Sequence, residues 1–198
     1  IAGHPWPGYE TLFYAQAQQW LPPGVVLQSN ATMKESIDGL KAGTVDAAML
    51  TLDEALALRD KGVALEIVLV FDVSRGADAL VVRPGIATLQ QLRRRSIGLE
   101  HSALGELMLT MVLEKAGLTL RDVQPVYIAY EEQEAAFLNN RIDALISYEP
   151  VVGRLMGQGA QRLISTRELP DSVFDVLAVR IDVARARADT LRATLLGH

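Results

Sequence analysis

The chain has no cysteine among its 198 residues, so disulfides, thiolate metal sites and cysteine nucleophiles are excluded. It also lacks G-x-S-x-G and H-E-x-x-H motifs, and its only histidines are His4, His101 and His198. The usual reactive groups are therefore missing. We predict a protein that is not an enzyme and that has no catalytic residue, no metal site and no cofactor.

Long apolar runs are absent as well. No stretch approaches the roughly 18 residues that would cross a bilayer, and no basic segment followed by an apolar one opens the chain. The first residues, IAGHPWPGYE, are typical of the end of a strand. If the protein is exported, we expect this to be the mature form, with an N-terminus that was trimmed or is partly missing.

Positive charge is scarce. There are 19 Lys and Arg against 24 Asp and Glu, a formal net charge of -5, and the basic residues are scattered except at 93–95. We therefore expect no nucleic-acid partner. The Arg93 to Arg95 run is typical of a solvated edge, with an anion or partner contact as the alternative.

Short apolar runs alternate with helical periodicity along the whole chain, which predicts an α/β protein built from βαβ units. The composition, 49% hydrophobic and 22% charged, is that of a globular protein. We predict strands at 25–29, 45–50, 65–71, 78–83, 96–99, 123–128, 142–147 and 174–180. We predict helices at 9–20, 33–42, 53–61, 104–116, 131–139, 150–157 and 184–195.

An internal similarity indicates two lobes built on one plan. The segments LKAGTVDAAMLTLDEA (40–55) and FLNNRIDALISYEPVV (137–152) each run from a helix end through [VI]-D-A into a strand and then a new helix. The alternative is that any two βαβ units look this alike.

A second pair of segments, ADALVVRPGI (77–86) and FDVLAVRIDV (174–183), looks like two strands that cross between the lobes. They predict one lobe from 1–83 with 175–198 and another from 84–174. Two crossings would form a hinge that lets a cleft open and close.

In such folds, ligands gather beyond the carboxyl ends of the strands, where helix N-termini point N–H groups outward. After the first strand come Trp6, Tyr9 and Glu10, which offer flat rings beside a carboxylate. The alternative is a surface turn with an aromatic lid. Asp72 follows a later strand and either lines the hinge side of the cleft or serves only the turn.

Thr51 and Asp53 follow the strand VDAAML and are candidate ligand contacts. Thr51 with Glu54 also matches a capping box, so a purely structural role is the alternative.

In the other lobe, two loops contribute six candidates, which are Glu100, His101, Ser102, Ala103, Tyr148 and Glu149. Ser102 also suits the N-cap of the next helix, and a lone histidine is more often a loop residue than a metal ligand. A strand-end aromatic packed on the core is the alternative for Tyr148.

Four segments together resemble the type 2 periplasmic binding proteins of ABC importers, in the taurine, sulfonate, nitrate and thiamine-pyrimidine-precursor (NMT1/THI5-like) branch. In order, they are ATMKESIDGLKAGTVDAA, LRRRSIGLEHSALGELML, DVQPVYI and AAFLNNRIDALISYEPVV. The resemblance covers nearly the whole chain, which stops sooner than family members usually do.

The resemblance implies a two-lobed type 2 fold with a mostly parallel sheet in each lobe. It also implies capture of a small molecule in the interlobe cleft, and delivery to an ABC permease and ATPase. The expected location is periplasmic or extracytoplasmic, with a lipid anchor left open, and we expect a monomer. The family's ligand contacts fall on the loop after the first strand and on the helix starts named above.

The sequence departs from the anion binders in charge. The cleft segments carry only acids and no Lys or Arg; the acids are Glu10, Asp53, Glu54, Asp72, Glu100 and Glu149. We therefore predict a ligand with a cationic or amino group, or a polar heterocycle that stacks on an aromatic ring. The competing functions are a ligand-sensing domain and, on the same scaffold, an enzyme of thiamine-pyrimidine biosynthesis.

Overall fold

The computed structural model describes residues 1–169 and 171–198 of the chain. The chain forms two compact units. The first unit comprises residues 1–73 and 174–198, and the second comprises residues 74–173. Each unit has its own sheet.

The first unit contains a five-stranded sheet in the order β2-β1-β3-β10-β4. Its strands are β1 (Ala2–Gly3), β2 (Gln28–Ser29), β3 (Ala47–Thr51), β4 (Leu65–Val73) and β10 (Phe174–Arg180). β1 pairs in parallel with β2 and β3, whereas β10 runs antiparallel to both β3 and β4. Helices cover both faces; they are α1 (Glu10–Ala17), α2 (Met33–Ala42), α3 (Leu52–Asp60), α7 (Ile181–Ala186) and α8 (Ala188–Gly197).

Alternation along β3 builds the core on both faces of this sheet, because successive side chains of a strand point to opposite sides. Ala48 and Leu50 pack with buried residues of α2 and α3. Ala47 and Met49 pack on the other face with residues of α1 and α7. The central strand is therefore apolar from Ala47 to Leu50, and its last residue, Thr51, lies at the sheet's edge.

The second unit contains a five-stranded sheet in the order β7-β6-β8-β5-β9. Its strands are β5 (Ala79–Val82), β6 (Ser96–Leu99), β7 (Gln124–Tyr127), β8 (Ala144–Ser147) and β9 (Gln161–Ser165). β6 pairs in parallel with β7 and β8, and β5 runs antiparallel to β8 and β9. Its helices are α4 (Ala103–Ala116), α5 (Tyr130–Leu138) and α6 (Val151–Gly157).

The core of the second unit follows the same rule. Leu80 and Val82 of β5 pack with residues of α4, and Ala79 and Val81 pack on the opposite face with residues of α5 and α6. α4 is held at both ends by local chemistry. Ser102 caps its first turn, and Gly117 ends it in the left-handed conformation with φ of 64°.

The predicted α/β class is confirmed. The sheets are mixed rather than mostly parallel, because β10 in the first unit and β5 in the second each run against two neighbours. The first boundary between the units precedes β5 instead of following it, since β5 pairs only with strands of the second sheet. β9 was not among the predicted strands.

Candidate functional site

The predicted site residues lie at or just beyond the carboxyl ends of strands within their own units. In the first unit, Trp6 follows β1 and Thr51 ends β3. In the second unit, Glu100 follows β6 and Tyr148 follows β8. Parallel strands end at the same edge of a sheet, so each sheet carries one carboxyl edge with several candidates.

At the first edge, Trp6 and Asp72 are joined directly. The Trp6 indole Nε1 donates to Asp72 Oδ2 at 3.2 Å. Gly8 packs so closely on this pair that a Cβ there would lie 1.9 Å from Asp72 Oδ2. The turn after β1 therefore needs glycine at this position, and the aromatic ring and the carboxylate hold each other in place.

Tyr9 is an interior residue, with 1% of its surface exposed. Its hydroxyl donates to Asp175 Oδ1 at 2.6 Å, and its ring makes edge contacts with Phe71 at 5.3 Å and His4 at 5.2 Å between centroids. Burial and the nearby Asp175 carboxylate raise the pKa of Tyr9 well above its usual value. Tyr9 thus packs in the interior and holds Asp175 in place.

Asp175 was not predicted as a site residue. It lies opposite Thr51 on β3 and opposite Asp72 on β4, so β10 brings three polar side chains side by side. A signal for it exists in the sequence, because the tripeptide Phe-Asp-Val occurs at both 71–73 and 174–176. Asp175 is 3% exposed, and its carboxylate is met by the Tyr9 phenol.

Thr51 and Asp53 begin α3. The Thr51 N–H donates to Glu54 Oε2 at 3.2 Å, which is half of the predicted capping box. Asp53 Oδ2 is buried and has no hydrogen-bond partner among residues 1–169 and 171–198. Burial raises the pKa of Asp53. Glu10, by contrast, is exposed at the start of α1.

His4 follows β1 on the same edge. Its Nδ1 atom is buried without a hydrogen-bond partner in the described part of the chain. Burial lowers the pKa of His4 to about 4, so the imidazole is neutral at physiological pH. The first edge therefore holds several acids beside a neutral histidine.

At the second edge, Ser102 and Ala103 start α4. The Ser102 Oγ accepts from the Gly105 N–H at 3.1 Å, so the capping alternative holds for this serine. A Cβ at Gly105 would lie 2.3 Å from the Glu100 carbonyl oxygen, which explains glycine in this first helical turn. His101 is exposed, and its ring lies 4.6 Å from the Tyr127 ring.

Glu100 follows β6 directly. Its side chain is half-buried, yet within the described residues it makes no hydrogen bond or ion pair. Burial, and secondarily the Glu131 charge, raise the pKa of Glu100. A crevice of about 20 Å³, room for about one water, borders this carboxylate. Its lining is Asp78, Glu100, Ser102, Leu104, Gly105, Met108, Gln133, Ile146, Ser147 and Tyr148.

Tyr148 stacks on Tyr130, with ring centroids 4.5 Å apart and planes 8° from parallel. Both rings are half-buried. Tyr130 is the first residue of α5. It was not predicted as a site residue, because it precedes the helix predicted at 131–139 and belongs to no motif. Glu149 Oε2 accepts from the Gly153 N–H at 2.9 Å and so caps α6.

The first unit also has a cavity of about 330 Å³ away from its carboxyl edge. It borders Ile1 and Asp46, which precede β1 and β3, together with Val179 near the end of the antiparallel β10. The cavity therefore lies at the amino edge of the sheet, where no site was predicted.

Residues 1–169 and 171–198 contain no group of three or more His, Asp or Glu side chains arranged to hold a metal ion. Over the same residues, no helix has the length and apolar character needed to cross a membrane.

A family profile described as "NMT1/THI5 like" matches residues 24–195. A candidate binding protein of Brucella abortus (strain 2308) is 29% identical over 79 residues, which are 40% of this chain and 25% of that protein. The alignment thus spans about a quarter of the length of that curated relative.

Solved structures share the fold. The periplasmic aliphatic sulphonate binding protein SsuA from Escherichia coli matches with a TM-score of 0.83 at 19% identity, over 99% of this chain and 66% of that one. The desulfurization enzyme DSZB matches with a TM-score of 0.69 at 17% identity, over 100% of this chain and 73% of that one. At such identities the matches establish the fold alone, which serves a binding protein and an enzyme alike.

Proposed function

Because this chain belongs to the NMT1/THI5-like family, we propose that it is an extracytoplasmic solute-binding protein that captures a small polar molecule for import by an ABC permease and ATPase. One observation carries the proposal. The predicted site segments of both units lie at the carboxyl edges of their sheets, where α/β folds bind ligands. SsuA, which shares the fold, is a periplasmic binding protein.

The ligand contacts we propose come from both edges. In the first unit they are Trp6, Glu10, Thr51, Asp53 and Asp72, with Tyr9 supporting them from the interior. In the second unit they are Glu100, His101, Ser102, Ala103, Tyr148 and Glu149. Acids and rings dominate this set, which supports a ligand that carries an amino group or a polar heterocycle.

We propose binding without a chemical step. The chain has no cysteine, and its His4 is a neutral, interior imidazole. The second candidate function is an enzyme, because a desulfurization enzyme has the same fold. If the chain were an enzyme, a bound solute would be converted.

The test is to identify what the protein retains. The protein is dialysed against a mixed pool of small metabolites, examined intact by native mass spectrometry, and the released solute is identified. We expect one solute per chain, recovered with unchanged mass. Tyr148→Ala should lose it, whereas Leu138→Ala, which alters an exposed apolar residue of α5, should retain it.

No retained solute in the wild-type protein would contradict the proposal. Recovery of a converted molecule would favour the enzyme.

A further inference from the structure

We propose that the second unit recognises a planar organic cation, such as an amidinium, a guanidinium or a protonated nitrogen heterocycle, on a surface formed by Glu100, Tyr148 and Tyr130. This inference rests on the proposed function and adds the charge and shape of the solute. It also adds Tyr130 as a specificity-determining residue.

The first step is the unmatched charge of Glu100. A carboxylate that loses part of its hydration without gaining a donor is unfavourable, and proteins ordinarily pair such groups. The Glu100 side chain is half-buried, and its carboxylate has neither a hydrogen bond nor an ion pair within the described residues. A positively charged solute supplies the missing partner.

The second step is the aromatic surface beside it. Tyr148 and Glu100 line the same crevice, and Tyr130 lies parallel beneath Tyr148 at 4.5 Å. The crevice has a volume of only about 20 Å³, so the solute rests at its mouth. A ring held flat by a second ring presents a broad negative π-face, which favours a flat cation that stacks in the same way.

The third step concerns neighbouring charges. Glu100, Glu131 and Glu149 all lie near enough to Tyr130 to act on its ionisation, and Arg154 is the basic residue that does so in the opposite sense. Arg154 is already engaged, because its Nε donates to Glu134 Oε2 at 2.7 Å. Three carboxylates and one arginine, itself paired with an acid, therefore lie near the two rings, and this excess of acids disfavours an anion.

Two serines that line the crevice are already engaged within the protein. The Ser147 hydroxyl donates to Gln133 Oε1 at 2.7 Å, and the Ser102 hydroxyl accepts from Gly105. These hydroxyls therefore do not supply a donor to Glu100.

The experiment compares three ligands of matched size by calorimetric titration of the full chain. They are benzamidine, a flat cation; benzamide, its neutral isostere; and benzenesulfonate, an anion. We expect benzamidine to bind at least about tenfold more tightly than benzamide, as for a charge-assisted hydrogen bond. Benzenesulfonate should show no binding up to millimolar concentration.

Two variants assign the effect to residues. Glu100→Gln should weaken benzamidine about tenfold and leave benzamide within about twofold, because only the charge is removed. Tyr130→Ala should weaken benzamidine about fivefold, whereas Tyr130→Phe, which keeps the ring, should stay within about twofold. Melting curves confirm that each variant is folded.

Equal or tighter binding of benzamide or benzenesulfonate would overturn the inference, and so would the absence of benzamidine binding. None of these results would contradict the proposed function, which is tested by whether the protein retains a metabolite. An unchanged benzamidine affinity in Glu100→Gln would also overturn it.

Discussion

The two carboxyl edges use the same ingredients, tyrosine and carboxylate, in opposite ways. In the first unit, the Tyr9 phenol donates to Asp175 and the Trp6 indole donates to Asp72, so rings and acids satisfy each other. In the second unit, Tyr148 stacks on Tyr130 and the Glu100 carboxylate is left without a donor. The difference teaches that Asp72 and Asp175 at the first edge find their donors within the protein, whereas Glu100 at the second edge leaves that place to a solute.

The largest effect should come from removing the interior ring of the first edge. Tyr9→Ala should lower the free energy of unfolding by about 3–5 kcal/mol, because it leaves a cavity beside Phe71 and deprives Asp175 of its donor. Tyr130→Ala, at a half-buried ring, should cost less than half as much. Denaturant unfolding monitored by circular dichroism measures both. Equal losses of unfolding free energy in the two variants would show that the two rings do not differ in their structural role.

Removing only the hydroxyl of Tyr9 or of Tyr130 should also affect the two edges differently. Tyr9→Phe should cost about 1.5–3 kcal/mol, since Asp175 is 3% exposed and loses a hydrogen bond to a charged group. Tyr130→Phe should change stability by less than about 0.5 kcal/mol, because this half-buried hydroxyl remains near solvent. The same unfolding titrations decide between these values. A neutral Tyr9→Phe would mean that the phenol does not hold the carboxylate.

A side chain at Gly8 should destabilise the fold. Gly8→Ala places a Cβ against the Trp6 and Asp72 pair and should cost about 1–3 kcal/mol, with a change in tryptophan fluorescence. Gly157→Ala is the matched control, because nothing lies within 4 Å of its Cβ position at the end of α6. If both substitutions are neutral, the contact between the turn and Asp72 is not needed for stability.

The smallest effect concerns the unmatched carboxylate of the second edge. Burial raises the folded-state pKa of Glu100 above its unfolded value, so the protonated acid favours the fold. Glu100 therefore contributes to the free energy of unfolding at low pH, and this contribution is lost as the pH rises through the raised pKa. Glu100→Gln should therefore melt slightly higher than wild type at pH 7, and this advantage should shrink toward pH 4.

The control for this measurement is Glu132→Gln, at an exposed position of α5. Glu132→Gln should not melt higher than wild type at pH 7, because an exposed side chain has no buried charge to relieve. A Glu100→Gln variant that is less stable than wild type at pH 7 would show that the carboxylate has a structural partner.

Much of the fold follows from local pattern. β6 and β10 coincide with the predicted strands, and α2 coincides with its predicted helix, because each is a periodic segment with clear boundaries. β9 escaped prediction because its first two residues, Gln161 and Arg162, are exposed on an edge strand and break the apolar run. The antiparallel course of β5 and β10 depends on distant pairing, which periodicity does not report.

The sequence predicted which loops form the site, but not which side chains contact each other within it. Strand ends and helix caps placed Trp6, Thr51 and Ser102 at the carboxyl edges. The sequence did not reveal that Tyr9 turns inward to Asp175, 166 positions away, or that Tyr130 lies beneath Tyr148. Both contacts join separate elements, and they decide which acids are satisfied and which are open.

The most direct test of the account is hydrogen exchange of the full chain with and without its retained solute. We expect the solute to slow exchange at the carboxyl edges, in peptides that cover residues 51–54, 100–105 and 148–153. Protection confined to residues 24–28, 44–47 and 187–194 would instead place the solute in the amino-edge cavity of the first unit, and would contradict the assignment of the binding site.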